Sequence, residues 1–240
     1  MKLNAVHILV TSQSTYEDVD CFIWGGRQVG SVLTMDLFNE LLAQIRELGT
    51  IRQIYFEGGE SFVFYHALET FIEKAAAEGL TVGIVSNGFW ATSISDGRAW
   101  LRPLMAAGLD KLELTDAFFK GTPEEVFEDH PGFQAARKLR LPASLIPLDD
   151  YADDGEKGRV QPPLEDGEVE PPPAVDVDIP WSSFDNCPKD KIHNPERIFM
   201  DPKGNIHVCR GLVIGNINET PLIKILGEYI PKEHPVAGPL

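Results

Sequence analysis

The sequence predicts an α/β fold built on a parallel sheet, and three features predict it. Short apolar, β-branched runs alternate with amphipathic helical stretches along the first 150 residues. Glycines and capping residues stand where those helical stretches start or stop. The composition, 43% hydrophobic and 24% charged over 240 residues, is that of a chain able to bury one large core with a small appendage.

Residues 4–11 (NAVHILVT) form the first strand-like run. Residues 34–48 (TMDLFNELLAQIREL) repeat apolar positions at helical spacing, opened by Thr34 as N-cap and closed by Gly49. The unit recurs as strand 51–57, helix 62–78 ending at Gly79, strand 81–87 and helix 95–107 ending at Gly108. Strand 111–117, a helical stretch at 123–139 and strand 143–148 follow. Such alternation implies right-handed crossovers in a parallel sheet, either open and doubly wound or closed as a full or partial barrel. In both architectures ligands gather at the carboxyl ends of the strands. Those ends carry the polar peptides TSQSTYED, EGGES, SNGFW and TDAFF.

Residues 151–180 hold six prolines and nine acidic residues, opposed only by Lys157 and Arg159, and read as a solvated linker or loop. It separates a strand–helix domain, 1–150, from an extension, 181–240. In the extension, RIFMDPKGNIHVC reads as a β-hairpin turning at Asp201 to Asn205, and residues 219–229 are helix-like.

A formal charge of −16 repels phosphate backbones, so no nucleic-acid partner is expected. No run approaches the roughly 18 apolar residues of a membrane span, and MKLNAVHILVT reads as a strand rather than a signal peptide, so a cytoplasmic location is expected. Cys21, Cys187 and Cys209 are too few and too scattered for a disulfide framework, which favours thiols or metal ligands.

The loop after the first strand reads STYEDVDCF, from Ser14 to Phe22, and Gly58-Gly59-Glu60-Ser61 follows the second strand. Together these resemble the radical S-adenosylmethionine (radical SAM) superfamily. The resemblance implies a partial (β/α)6 barrel whose first loop presents Cys-x3-Cys-x2-Cys, three positions that fall here on Ser14, Asp18 and Cys21. In that family three thiolates hold a [4Fe–4S] cluster and the fourth iron takes SAM. Thiolates suit iron because they are soft and anionic, whereas Ser and Asp are hard oxygen donors. Cys21 alone keeps the family's ligand type, and Asp18 with Asp20 forms a carboxylate pair of the kind that suits a hard divalent cation.

Gly58, Gly59 and Glu60 resemble the family's Gly-Gly-Glu-Pro motif, which lines up with the SAM amino group. Ser86 and Asn87 match its ribose- or carboxylate-contacting position, and Asp116 ends the fourth strand in the same layer. The segment from Cys187 to Ile217 resembles the family's cysteine-bearing extension, where Cys187 and Cys209, with His193 and His207, are candidate auxiliary ligands. Three readings stay open: a degenerate member that keeps a SAM- or nucleoside-binding or partner role, an active enzyme whose cluster is held by Cys21 with unusual ligands, and a non-catalytic acidic scaffold for a protein partner. The substrate, small molecule or peptide, is set by loops rather than by the barrel.

Overall fold

The computed structural model describes residues 3–15, 30–115, 129–146, 192–209 and 212–234. Its strands are β1 (Ala5–Thr11), β2 (Gln53–Gly58), β3 (Thr81–Ser86), β4 (Leu109–Thr115), β5 (Ala143–Ile146), β6 (Arg197–Met200), β7 (Asn205–Cys209) and β8 (Leu212–Asn216). Its helices are α1 (Met35–Leu48), α2 (Tyr65–Ala77), α3 (Ile94–Ala107), α4 (Pro131–Leu139) and α5 (Leu222–Glu228). All eight strands form one sheet in the order β5-β4-β3-β2-β1-β6-β7-β8, parallel from β5 through β6 and antiparallel at β7 and β8. The fold is therefore mixed α/β and mostly parallel.

From β1 to β5 each unit steps one strand in the same direction, with no reversal of order. A doubly wound sheet needs such a reversal, so this sheet is singly wound and carries its helices on one side, as in a partial barrel. The side chains agree. Val6, Ile8, Val10, Ile54, Phe56, Val82, Ile84, Leu112, Leu114, Ile198 and Met200 alternate along their strands and are all 0% exposed. They join one core with the apolar faces of α1 to α4, in which Phe38 and Phe71 pack on Phe56.

Local chemistry sets the helix ends. Thr34 Oγ1 accepts from Leu37 N at α1, Ser93 Oγ accepts from Asp96 N at α3, and Gly49 and Gly108 close those helices. Helix 62–78 begins instead as a 3-10 turn over Ser61–Phe64, because Glu60 caps it through Phe62 N before α2 starts at Tyr65. Of stretch 123–139, the part at 131–139 is helix, and the part before residue 129 lies outside the described residues.

The hairpin is present as β6 and β7, but it continues the main sheet: Ala5 pairs with Arg197 and Ile8 with Met200 in parallel register. A further strand, β8, not expected from the sequence, pairs with β7. Its LVIG run after Arg210-Gly211 is short, and an apolar run of that length does not by itself distinguish strand from turn. Among the described residues no helix is long and apolar enough to cross a membrane.

Candidate functional site at the strand ends

The carboxyl ends of β1, β2 and β3 meet in one buried polar knot. Gly59 N donates to Thr11 O at 2.8 Å and Glu60 N to Gln13 O at 2.8 Å, so the chain leaving β1 is strapped across the end of β2. The strap explains the two glycines. Gly58 has φ +137°, and a Cβ there would run into the Thr11 carbonyl oxygen, while one on Gly59 would run into the Gln13 carbonyl.

Glu60 is 1% exposed and its carboxylate points across to β3. Oε2 accepts from Asn87 N at 2.9 Å, Oε1 from Phe62 N at 3.1 Å, and Ser86 Oγ donates at 2.9 Å. Burial outweighs these donors and lifts the Glu60 pKa from 4.5 to about 7. Ser86 Oγ in turn accepts from Gly88 N at 3.1 Å and from Trp90 Nε1 at 2.9 Å. Asn87 Nδ2 donates to Thr15 Oγ1 at 3.1 Å and Asn87 Oδ1 accepts from Phe89 N at 3.0 Å, which ties the end of β3 to the start of the first loop.

The structure thus brings together Gly58, Gly59, Glu60, Ser86 and Asn87, with Ser14 buried beside Thr15. Asp18, Cys21, Asp116 and Cys187 lie outside the described residues. In the extension, Cys209 is half-buried against Ile192, Val208 and Tyr229. His207 Nε2 is 3.6 Å from Asp201 Oδ2, and its neighbouring donors hold the Asp201 carboxyl down at about 2 despite burial. His207 and Cys209 are both half-buried on β7, with a register shift against β8 between them, whereas His193 is exposed. Among the described residues no three His, Cys, Asp or Glu side chains converge as a metal site.

Two features were missed in the sequence. His130, N-cap of α4, is 1% exposed, accepts from Gly132 N at 2.8 Å, and sits where a Cβ on Gly88 would be. Burial pushes its pKa down to about 4, so it is neutral near pH 7. His-Pro-Gly was legible as a helix start, but its closeness to the β3 loop was not. The second is a buried His7–Glu57 pair inside the sheet's other face.

The positions that the resemblance aligns with three cluster cysteines carry a hydroxyl (Ser14), a carboxylate (Asp18) and a thiol (Cys21), of which only the thiol is a soft donor.

No protein-family model and no curated protein matches the chain. Solved structures do. BtrN in complex with AdoMet and 2-DOIA superposes with TM-score 0.58 at 16% identity, covering 93% of this chain and 81% of that one. An open conformation of BtrN gives 0.56 at 15% identity, over 98% and 91% of the two chains. Streptococcus suis SuiB bound to S-adenosylmethionine gives 0.56 at 9% identity, over 99% of this chain and 67% of that one. Both proteins are radical SAM enzymes, and the chain described here has their fold.

Proposed function

We propose that this chain, a radical SAM fold, binds S-adenosylmethionine or a related adenosine compound at its strand ends without a [4Fe–4S] cluster on its first loop. It then serves as a binding or partner protein rather than as a reductive SAM-cleaving enzyme. The observation that carries this reading is the strap: protein groups alone anchor residues 11–15, through Gly59 N, Glu60 N and Asn87 Nδ2. The strand ends that would frame the ligand are therefore tied to one another by hydrogen bonds within the chain. Solved neighbours of the same fold bind AdoMet, which supports the choice of ligand.

Without iron the methionine end of SAM loses its anchor, while the ribose-side groups at Ser86 and Asn87 stay in place. Affinity then falls to the micromolar-to-millimolar range, about 4 to 8 kcal/mol. Calorimetry against SAM, S-adenosylhomocysteine and adenosine measures it. The expected result is comparable binding of all three by a protein that stays colourless after anaerobic reconstitution with iron and sulfide. No binding by any of them at millimolar ligand overturns the nucleoside reading. Stoichiometric iron and sulfide, with 5′-deoxyadenosine formed on adding dithionite, overturns the cluster-free one.

A further inference from the structure

Closed β/α barrels ordinarily fill their inner face with layers of Val, Ile and Leu. Here the register places His7, Tyr55, Glu57, Lys111, Glu113 and Thr115 on the inner face of the parallel strands, opposite the apolar face that packs on the helices. A polar lining of this kind departs from the apolar layers of a closed barrel.

One pair in it is held with unusual rigidity. His7 Nδ1 lies 3.1 Å from Glu57 Oε2, with the two side chains only 7% and 5% exposed. The His7 ring stacks on Tyr55 at 4.6 Å and 9°, and Phe199 tilts against it at 5.2 Å. Tyr55 is itself pinned: it lies where a Cβ on Gly83 would be, and Lys111 Nζ donates to its hydroxyl at 3.0 Å.

A carboxylate at Nδ1 takes the N–H there, so neutral His7 keeps its lone pair on Nε2. Among the described residues Nε2 makes no hydrogen bond, and it is not one of the atoms sealed without a partner, as His207 Nδ1 and Thr115 Oγ1 are. An imidazole oriented by a carboxylate and open at its second nitrogen is the arrangement of a general base.

We propose that His7 and Glu57 form a general-base dyad of the sheet's inner face, with His7 Nε2 accepting a proton from a hydroxyl or ammonium group of a small polar ligand. Glu57 is the positioning residue. In the step the ligand's O–H or N–H bond breaks, an N–H bond forms at Nε2, and the electron pair stays on the ligand heteroatom. Glu57 balances the imidazolium, and Lys111, 42% exposed and 3.7 Å from Glu113, stands on the same face. This chemistry uses no iron, and Glu57 directly precedes the Gly58–Glu60 strand end.

Diethyl pyrocarbonate, which carbethoxylates unprotonated imidazole, tests it on the folded full chain with peptide mapping by mass spectrometry. The molecule carries its own references: His66, 96% exposed, and His130, 1% exposed with Nδ1 engaged. The expected result is that His7 reacts on the timescale of His66, and that Glu57→Gln slows it severalfold by releasing the tautomer. His7 as inert as His130 overturns the proposal. Ring-nitrogen NMR of the unaltered protein gives a second readout independent of the variant's folding: an Nδ1–H tautomer supports the dyad, and an Nε2–H tautomer overturns it.

Discussion

Glu60 and His130 are buried groups whose pKa values move in opposite directions, and their effects on stability oppose each other over most of one pH window. Glu60 is raised from 4.5 to about 7 by burial. The folded state therefore holds its proton more tightly, so the stability it contributes is complete below about pH 4.5 and lost as pH rises through 7. His130 is lowered from 6.5 to about 4 by burial. Its contribution is complete above about pH 6.5 and lost as pH falls through 4. Between pH 5 and 6.5 each group titrates over about 1.5 units, worth about 2 kcal/mol with opposite sign. The wild-type protein should show little net change across that window from these two groups. Glu60→Gln removes one of them, and its stability should rise by about 2 kcal/mol from pH 5 to 6.5. His130→Asn, which keeps an N-cap side chain for α4, should lose about 2 kcal/mol over the same interval. Urea unfolding followed by far-UV circular dichroism at several pH values, with the slope m held constant, reads these differences. Parallel pH profiles for all three proteins would refute the reasoning, as would a Glu60→Gln profile that falls with pH.

Ser61 is 0% exposed and its hydroxyl has no partner among the described residues, so Ser61→Ala should raise stability by about 1 kcal/mol and the melting temperature by roughly 2 to 4 °C, measured by thermal denaturation. Gly59→Ala drives a methyl into the Gln13 carbonyl and should cost about 2 kcal/mol in urea unfolding while weakening nucleoside binding in calorimetry. Ser14→Cys with Asp18→Cys supplies three thiolates in the family's spacing. That variant should acquire the broad visible absorption of a cluster on anaerobic reconstitution, and a folded, iron-free product would show the spacing argument wrong.

Much of this molecule was legible in the chain. Thr34 and Gly49 announce α1, Gly108 announces the end of α3, and the apolar runs of β1 to β5 announce parallel strands, because caps and periodicity act within a few neighbouring residues. The grouping of Gly58, Gly59, Glu60, Ser86 and Asn87 was also readable, since consecutive parallel strands bring their ends together. What those residues do there was decided by tertiary structure. The two glycines make room for the β1 strap, and Glu60 spends its carboxylate on β3, contacts that depend on how close two strand ends approach. The hairpin's place beside β1, the pairing of His7 with Glu57 across 50 residues, and the seat of His130 behind Gly88 follow from strand order and register. Order and register are set by which faces the whole chain buries at once, and no local stretch of sequence carries that information.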